Sequence, residues 1–158
     1  MPNWTNCTLT VSGPCKAIDD FMSRIKSKEK DENGKEPVFS IESVYPIPKK
    51  LQDGDGWYDW CVANWSTKWD VNSPELVELT SSTHTCKVLY SFMSAWAPPT
   101  NAIKKISEIF PWLKFKLVYY EGGMAFAGKD VFKAGENIKS NSLEGSGISG
   151  WYRRNGGI

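Results

Sequence analysis

The segment Gly56–Asp70, Gly-Trp-Tyr-Asp-Trp-Cys-Val-Ala-Asn-Trp-Ser-Thr-Lys-Trp-Asp, holds four of the chain's eight tryptophans. A fifth, Trp96, follows in Ser94-Ala95-Trp96-Ala97-Pro98-Pro99. An indole can fill the centre of a domain, and its single N–H wants an acceptor. A group this dense either builds a core from indoles or offers an aromatic surface to a partner. Trp57, Trp60, Cys61 and Asn64 recur at helical spacing, which predicts a short helix ending near Asn64. Trp65 to Val71 reads as extended, with Trp65, Thr67 and Trp69 on one side and Asn64, Ser66 and Lys68 on the other. Two readings stay open. The indoles pack under the segment while Lys68 pairs with Asp59 or Asp70, or they form a platform that stacks a base or clamps a side chain.

The rest of the chain supplies a scaffold. Cys7, Leu9 and Val11 alternate with threonines and predict a strand over about 5–11. Ile18, Phe21, Met22 and Ile25 form one helical stripe over about 15–27. Residues 27–37 are a charged loop, and Phe39 and Ile41 predict a second strand over about 38–45, ended by Pro46 and Pro48. A long Trp-rich insertion then spans 46–84, with a strand expected at 75–80 and a turn at Ser81–His84. Val88, Tyr90 and Phe92 share a face of a strand over 86–93, and Pro98-Pro99 opens a second helix with Ala102, Ile103, Ile106, Ile109, Phe110 and Leu113 as its stripe. Phe115, Leu117 and Tyr119 alternate in the next strand, and Glu121-Gly122-Gly123 turns into a hairpin partner ending near Phe132. With the insertion removed, β-α-β is followed by β-α-β. Right-handed crossovers lay both helices on one face of an antiparallel sheet, the ferredoxin-like α+β plan, widened by an extra C-terminal hairpin strand. The domain runs over 1–133. Residues 134–158 form a Gly/Ser/Asn-rich tail, either mobile or docked through Ile148, Trp151 and Tyr152.

These residues also resemble a known family, the YubB-like (Api-type) ferredoxin-like domain family of phage and plasmid proteins. The motifs are Met1-Pro2-Asn3-Trp4, Leu9-Thr10-Val11-Ser12-Gly13, Tyr45-Pro46-Ile47-Pro48, Trp57-Tyr58-Asp59-Trp60 and Asn64-Trp65-Ser66-Thr67-Lys68-Trp69-Asp70. Ser91-Phe92, Ala95-Trp96-Ala97-Pro98-Pro99, Phe110-Pro111, Tyr119-Tyr120-Glu121 and Phe126-Ala127-Gly128 complete the set. The resemblance covers roughly 1–132. It implies a mobile-element origin and a ferredoxin-like fold and assigns no activity. Ser66 departs from it, standing where glycine is expected, and so does the tail after about 134.

Composition narrows the function. A formal charge of +1 gives no strong field toward nucleic acid or an anionic membrane. No run is long and apolar enough for a membrane span, and the N-terminus lacks the basic and apolar regions of a secretory signal. Cys7, Cys15, Cys61 and Cys86 contain no close pair, so no zinc site, redox motif or disulfide framework is expected. A reduced bacterial cytoplasm fits that usage. Asp59, Asp70 and Glu121 could form an acid–base pair beside the indoles, but such carboxylates are more often acceptors for indole N–H groups. His84 stands in a turn without ligand neighbours, and Cys61 lacks a base close in sequence. The expectation is a non-enzymatic binding protein without cofactor or metal, acting on a host protein or a small nucleotide-like ligand, in counter-defence. Its binding residues are Trp57, Tyr58, Asp59, Trp60, Asn64, Trp65, Lys68, Trp69, Trp96 and Glu121. The alternative is a nucleic-acid-binding module using Lys68, Lys104, Lys105, Arg153 and Arg154 with Trp65 and Trp69.

Overall fold

The computed structural model describes residues 2–158. In order they form β1 (Trp4–Pro14), α1 (Cys15–Ile25), α2 (Lys49–Gln52), α3 (Gly56–Trp65), β2 (Asn72–Ser81), β3 (Thr85–Ala95), α4 (Thr100–Ile109), β4 (Lys114–Glu121), β5 (Phe126–Lys133), β6 (Glu136–Glu144) and α5 (Ile148–Arg154). One sheet has the order β2-β3-β1-β4-β5-β6, antiparallel throughout. Its first four strands with α1 and α4 are the ferredoxin-like unit. Alternation sets the core. Leu9 and Val11 of β1, Val88 and Tyr90 of β3, and Phe115 and Leu117 of β4 meet Ile18, Phe21 and Ile25 of α1 and Ile103 and Ile106 of α4. The Phe21 ring stands edge-on to Phe110, Phe115 and Tyr90, an arrangement the aromatic quadrupole favours.

The second strand of the unit is not 38–45. Those residues form turns, although Phe39 and Ile41 are buried as their alternation requires. Their backbone donors are engaged elsewhere: Ser40 N bonds Ile25 O, and Ile41 N and Glu42 N bond the Asp70 carboxylate. A segment whose donors are taken by a carboxylate has none left for a ladder. The strand is β2, read from the sequence as part of the insertion. The excursion between α1 and the sheet therefore spans 26–71.

A further correction concerns covalent chemistry, and the tail takes the second of its two expected states. Cys15 and Cys86 form a disulfide, Cα–Cα 4.8 Å, across 71 residues. The β1–α1 corner lies beside the start of β3, where Gly13 pairs with Cys86, a proximity that close-pair counting misses. The tail is docked. β6 adds a strand beside β5, and α5 seats Ile148 and Tyr152 on the sheet face opposite α1 and α4. There Tyr152 Oη shares a 2.5 Å hydrogen bond with Thr8 Oγ1 and its ring lies 4.7 Å from Tyr120. Trp151 stays half-exposed.

Candidate functional site

Helix α3 divides its aromatic residues into two groups. Trp65 is buried, 1% exposed, and its Nε1 donates to the Tyr45 carbonyl at 3.1 Å. Trp60 stands edge-on to both Trp65 and Tyr45. Tyr45 Oη donates to Asn64 Oδ1, and Asn64 Nδ2 donates to Trp60 O. Trp60, Asn64 and Trp65 thus pack with Tyr45 into a cluster that anchors the excursion. No indole N–H here takes a carboxylate, contrary to the sequence expectation.

The second group faces outward. Ser66 ends α3 at φ 66°, the left-handed conformation that glycine adopts without strain, which accounts for the glycine expected there. Its hydroxyl accepts a hydrogen bond from Asn101 N in the first turn of α4 at 3.2 Å, a role glycine could not fill. Residues 66–70 then bend instead of extending. This corrects the two-sided strand: Lys68 lies over its neighbour's ring instead of opposite it. Its Nζ is 4.5 Å from the Trp69 ring centre, 4.9 Å from Trp96 and 5.9 Å from Tyr58. Lys68 pairs with aromatic faces and with neither Asp59 nor Asp70.

Between α3 and the loop 27–47 lies a cavity of about 680 Å³. Trp57, Trp65 and Trp69 line its apolar side, and Glu29, Glu42 and Asp70 converge from the other. Asp70 is fully engaged: it accepts from Ser40 Oγ (2.7 Å), Ile41 N (2.9 Å), Glu42 N (3.1 Å) and Val71 N (2.8 Å). Glu42 accepts from Ile47 N through Oε2. Burial raises its pKa, the Ile47 bond opposes this, and the Asp70 and Glu29 charges add to the rise. The Cys61 thiol is buried and pushed up to about 11, by burial first and then by Glu42 and Asp70, which disfavours its thiolate.

The candidate acids do not meet. Asp59 is exposed on α3, and Asp70 is a structural acceptor. Glu121 is buried at the end of β4, where it accepts from Gly123 N and Met124 N and holds the β4–β5 turn. Trp96, at φ 66° and 42% exposed, belongs to a separate hollow with Asn3, Met124 and Phe126. The nucleic-acid set is dispersed as well. Trp65 is buried, Lys104 and Lys105 lie on α4, and Arg153 and Arg154 lie on α5 across the sheet. Sequence reasoning missed Glu29, Glu42 and the serines of the 27–43 loop. They are polar residues of a charged connection, and only the fold turns them toward the indoles.

Fold and site together define a ferredoxin-like α+β domain with an indole-rich excursion beside its sheet. A family model described as "Ferredoxin-like domain in Api92-like protein" matches residues 80–154, from β2's last residues through α5. That span takes in the tail, which the resemblance read from the sequence had left out. The crystal structure of a protein Api92 from Yersinia pseudotuberculosis is similar, with 15% identity and a TM-score of 0.47. The similarity covers 61% of this chain and 33% of that one, so the chain spans about a third of that protein's length. No curated protein matches. No helix among the described residues is long and apolar enough to cross a membrane.

Proposed function

We propose that this is a non-enzymatic binding protein of a phage or other mobile element, and that the cavity beside α3 takes a cationic side chain of a host protein. The observation that carries the reading is the pairing of three indoles with Glu29, Glu42 and Asp70 around one cavity. Aromatic faces attract cations, more strongly when desolvated. The carboxylates add to that attraction and repel phosphate, which favours a Lys- or Arg-bearing partner over a nucleotide-like ligand. Lys28 and Glu29 lie side by side on the rim, both exposed and screened by water, so their opposite charges largely offset and the attraction rests on Glu42 and Asp70. Mobile-element origin rests on the sequence resemblance, and counter-defence is proposed on that origin; the cytoplasmic expectation comes from cysteine usage, which the Cys15–Cys86 disulfide does not support.

The test is titration of the protein with an arginine-rich peptide, its glutamate-substituted counterpart and a nucleoside monophosphate, followed by tryptophan fluorescence. Binding of the cationic peptide, weakened at least tenfold by Trp57→Ala and by Glu42→Gln, supports the proposal. Binding of the nucleotide in preference, or indifference to both substitutions, removes it. Trp57 is only half-buried, so its removal spares the fold, whereas Trp65→Ala costs about 3–5 kcal/mol of core packing.

A further inference from the structure

The sheet face away from α1 and α4 carries a concentration of positive charge that the overall balance hides. Strand register sets it out. Lys87 of β3, Ser12 of β1, Lys114 of β4 and Lys133 of β5 form one cross-strand row. Leu89, Thr10 and Lys116 form the next row. A hollow of about 350 Å³ is lined by Thr10, Ser12, Lys87, Lys114, Lys116 and Gly156. The docked tail makes one wall: Gly156 lies against Lys116, and Asn155 Oδ1 takes a hydrogen bond from Lys129 Nζ at 3.2 Å.

No carboxylate comes within ion-pair distance of these lysines among the described residues, where the ion pairs are Arg24–Asp20 and Lys105–Glu108. The acids that share this face are Glu75 and Glu78 on the edge strand β2, opposite Ser91 and Leu89, and Glu136 on β6, which pairs with Lys133 at the far end of the row, outside the hollow. Burial lowers the Lys116 pKa, and Lys129, Lys114 and Lys87 lower it further. Folding thus assembles like charges without neutralising them, at a cost an anion would relieve.

We propose that this lysine-lined hollow binds phosphate groups carried in series on a single-stranded nucleic acid. Strands in a sheet lie about 4.8 Å apart, so Lys87 and Lys114, separated by β1, are spaced about 10 Å, enough for successive backbone phosphates. Thr10 and Ser12 hydroxyls between them supply neutral donors. The site is independent of the indole cavity.

The experiment is fluorescence anisotropy with a labelled single strand of about twelve nucleotides, with ATP and inorganic phosphate as competitors. With three lysines engaged, log K against log salt has a slope of about −2, so affinity falls about fifteenfold between about 50 and 200 mM salt. Lys87→Gln/Lys114→Gln/Lys116→Gln loses at least tenfold in affinity and flattens the slope. Lys104→Gln/Lys105→Gln, on the opposite face, stays within about twofold of wild type. Single Lys87→Gln, at an exposed strand position, gives a several-fold loss should the triple variant be poorly folded. Absence of binding at low salt, equal loss in both multiple variants, or a triple variant as tight as wild type overturns the proposal. So does competition by ATP or phosphate at concentrations where the strand adds no affinity.

Discussion

Asp70 decides whether the excursion is held by one carboxylate. Its two oxygens accept from one hydroxyl and three backbone N–H groups, at 2.7 to 3.1 Å. Asp70→Ala removes all four acceptor contacts. A net hydrogen bond is worth about 1 kcal/mol, and more to a charged acceptor, but the site is half-buried and water replaces part of it; the expected loss is about 3 kcal/mol. In a chain of this length that lowers Tm by about 6–12 °C. Asp70→Asn keeps one acceptor oxygen, which can serve Ile41 N and Val71 N, but turns an amide toward Glu42 N. It should lose about half as much. Urea denaturation read by tryptophan fluorescence measures both, with an unchanged m-value showing that stability alone has moved. Amide exchange at Ile41, Glu42 and Val71 should quicken in the alanine variant while the β1 and β4 amides keep their protection relative to global unfolding. An alanine variant within about 0.5 kcal/mol of wild type, with Ile41 and Glu42 exchange unchanged, would refute the claim that this carboxylate replaces a strand ladder.

Three other perturbations test neighbouring steps. Ser66→Gly relieves left-handed strain of about 1 kcal/mol but loses the bond from Asn101 N, worth about the same, so it should be near neutral, whereas Ser66→Ala keeps the strain, loses the bond and costs about 1 kcal/mol by denaturation. Reduction of the 71-residue Cys15–Cys86 link should lower stability by about 4 kcal/mol, and thiol titration of the denatured, unreduced protein should find two reactive groups, Cys7 and Cys61; four would remove the link. Glu42 has a raised folded-state pKa, so its contribution to stability is present below the ordinary glutamate value and is lost as pH rises through the folded value. Glu42→Gln should therefore gain on wild type across that interval and keep the gain at neutral pH; a difference in Tm that does not vary with pH would refute this.

The fold was legible where periodicity is long and one-sided. The stripe at Ile18, Phe21 and Ile25 and the alternations at Leu9–Val11 and Phe115–Tyr119 face one core, and each was read correctly from its period. The assignment of 38–45 failed for a reason that periodicity cannot carry. Phe39 and Ile41 alternate because they are buried, but whether a buried extended segment joins a ladder depends on where its N–H groups go. The deciding acceptor, Asp70, lies about thirty residues downstream. The second strand of the unit, β2, is an edge strand, and its place in the sheet is hard to read from its pattern. Leu76, Val77 and Leu79 are 41–52% exposed, so their pattern lacks the contrast of a core strand.

The site was legible in its residue types and illegible in its pairing. The choice between core and surface assumed that the indoles would behave as one group, and α3 divides them. Trp60 and Trp65 turn inward because their partners, Tyr45 and Asn64, join them in one hydrogen-bonded cluster. Trp69 turns outward where Ser66 reverses the chain, Trp96 turns at its own left-handed position after β3, and Lys68 lies over both rings. The left-handed turn at Ser66 therefore sets Trp69 off from α3, and Trp57 and Trp65 of the helix line the cavity together with it. Ser66 also bonds α4, so the outward group is fixed to the sheet's helical layer and is not free to collapse. An aromatic surface held open by its scaffold keeps its rings in place before a partner arrives, and the binding reading rests on that pre-organisation.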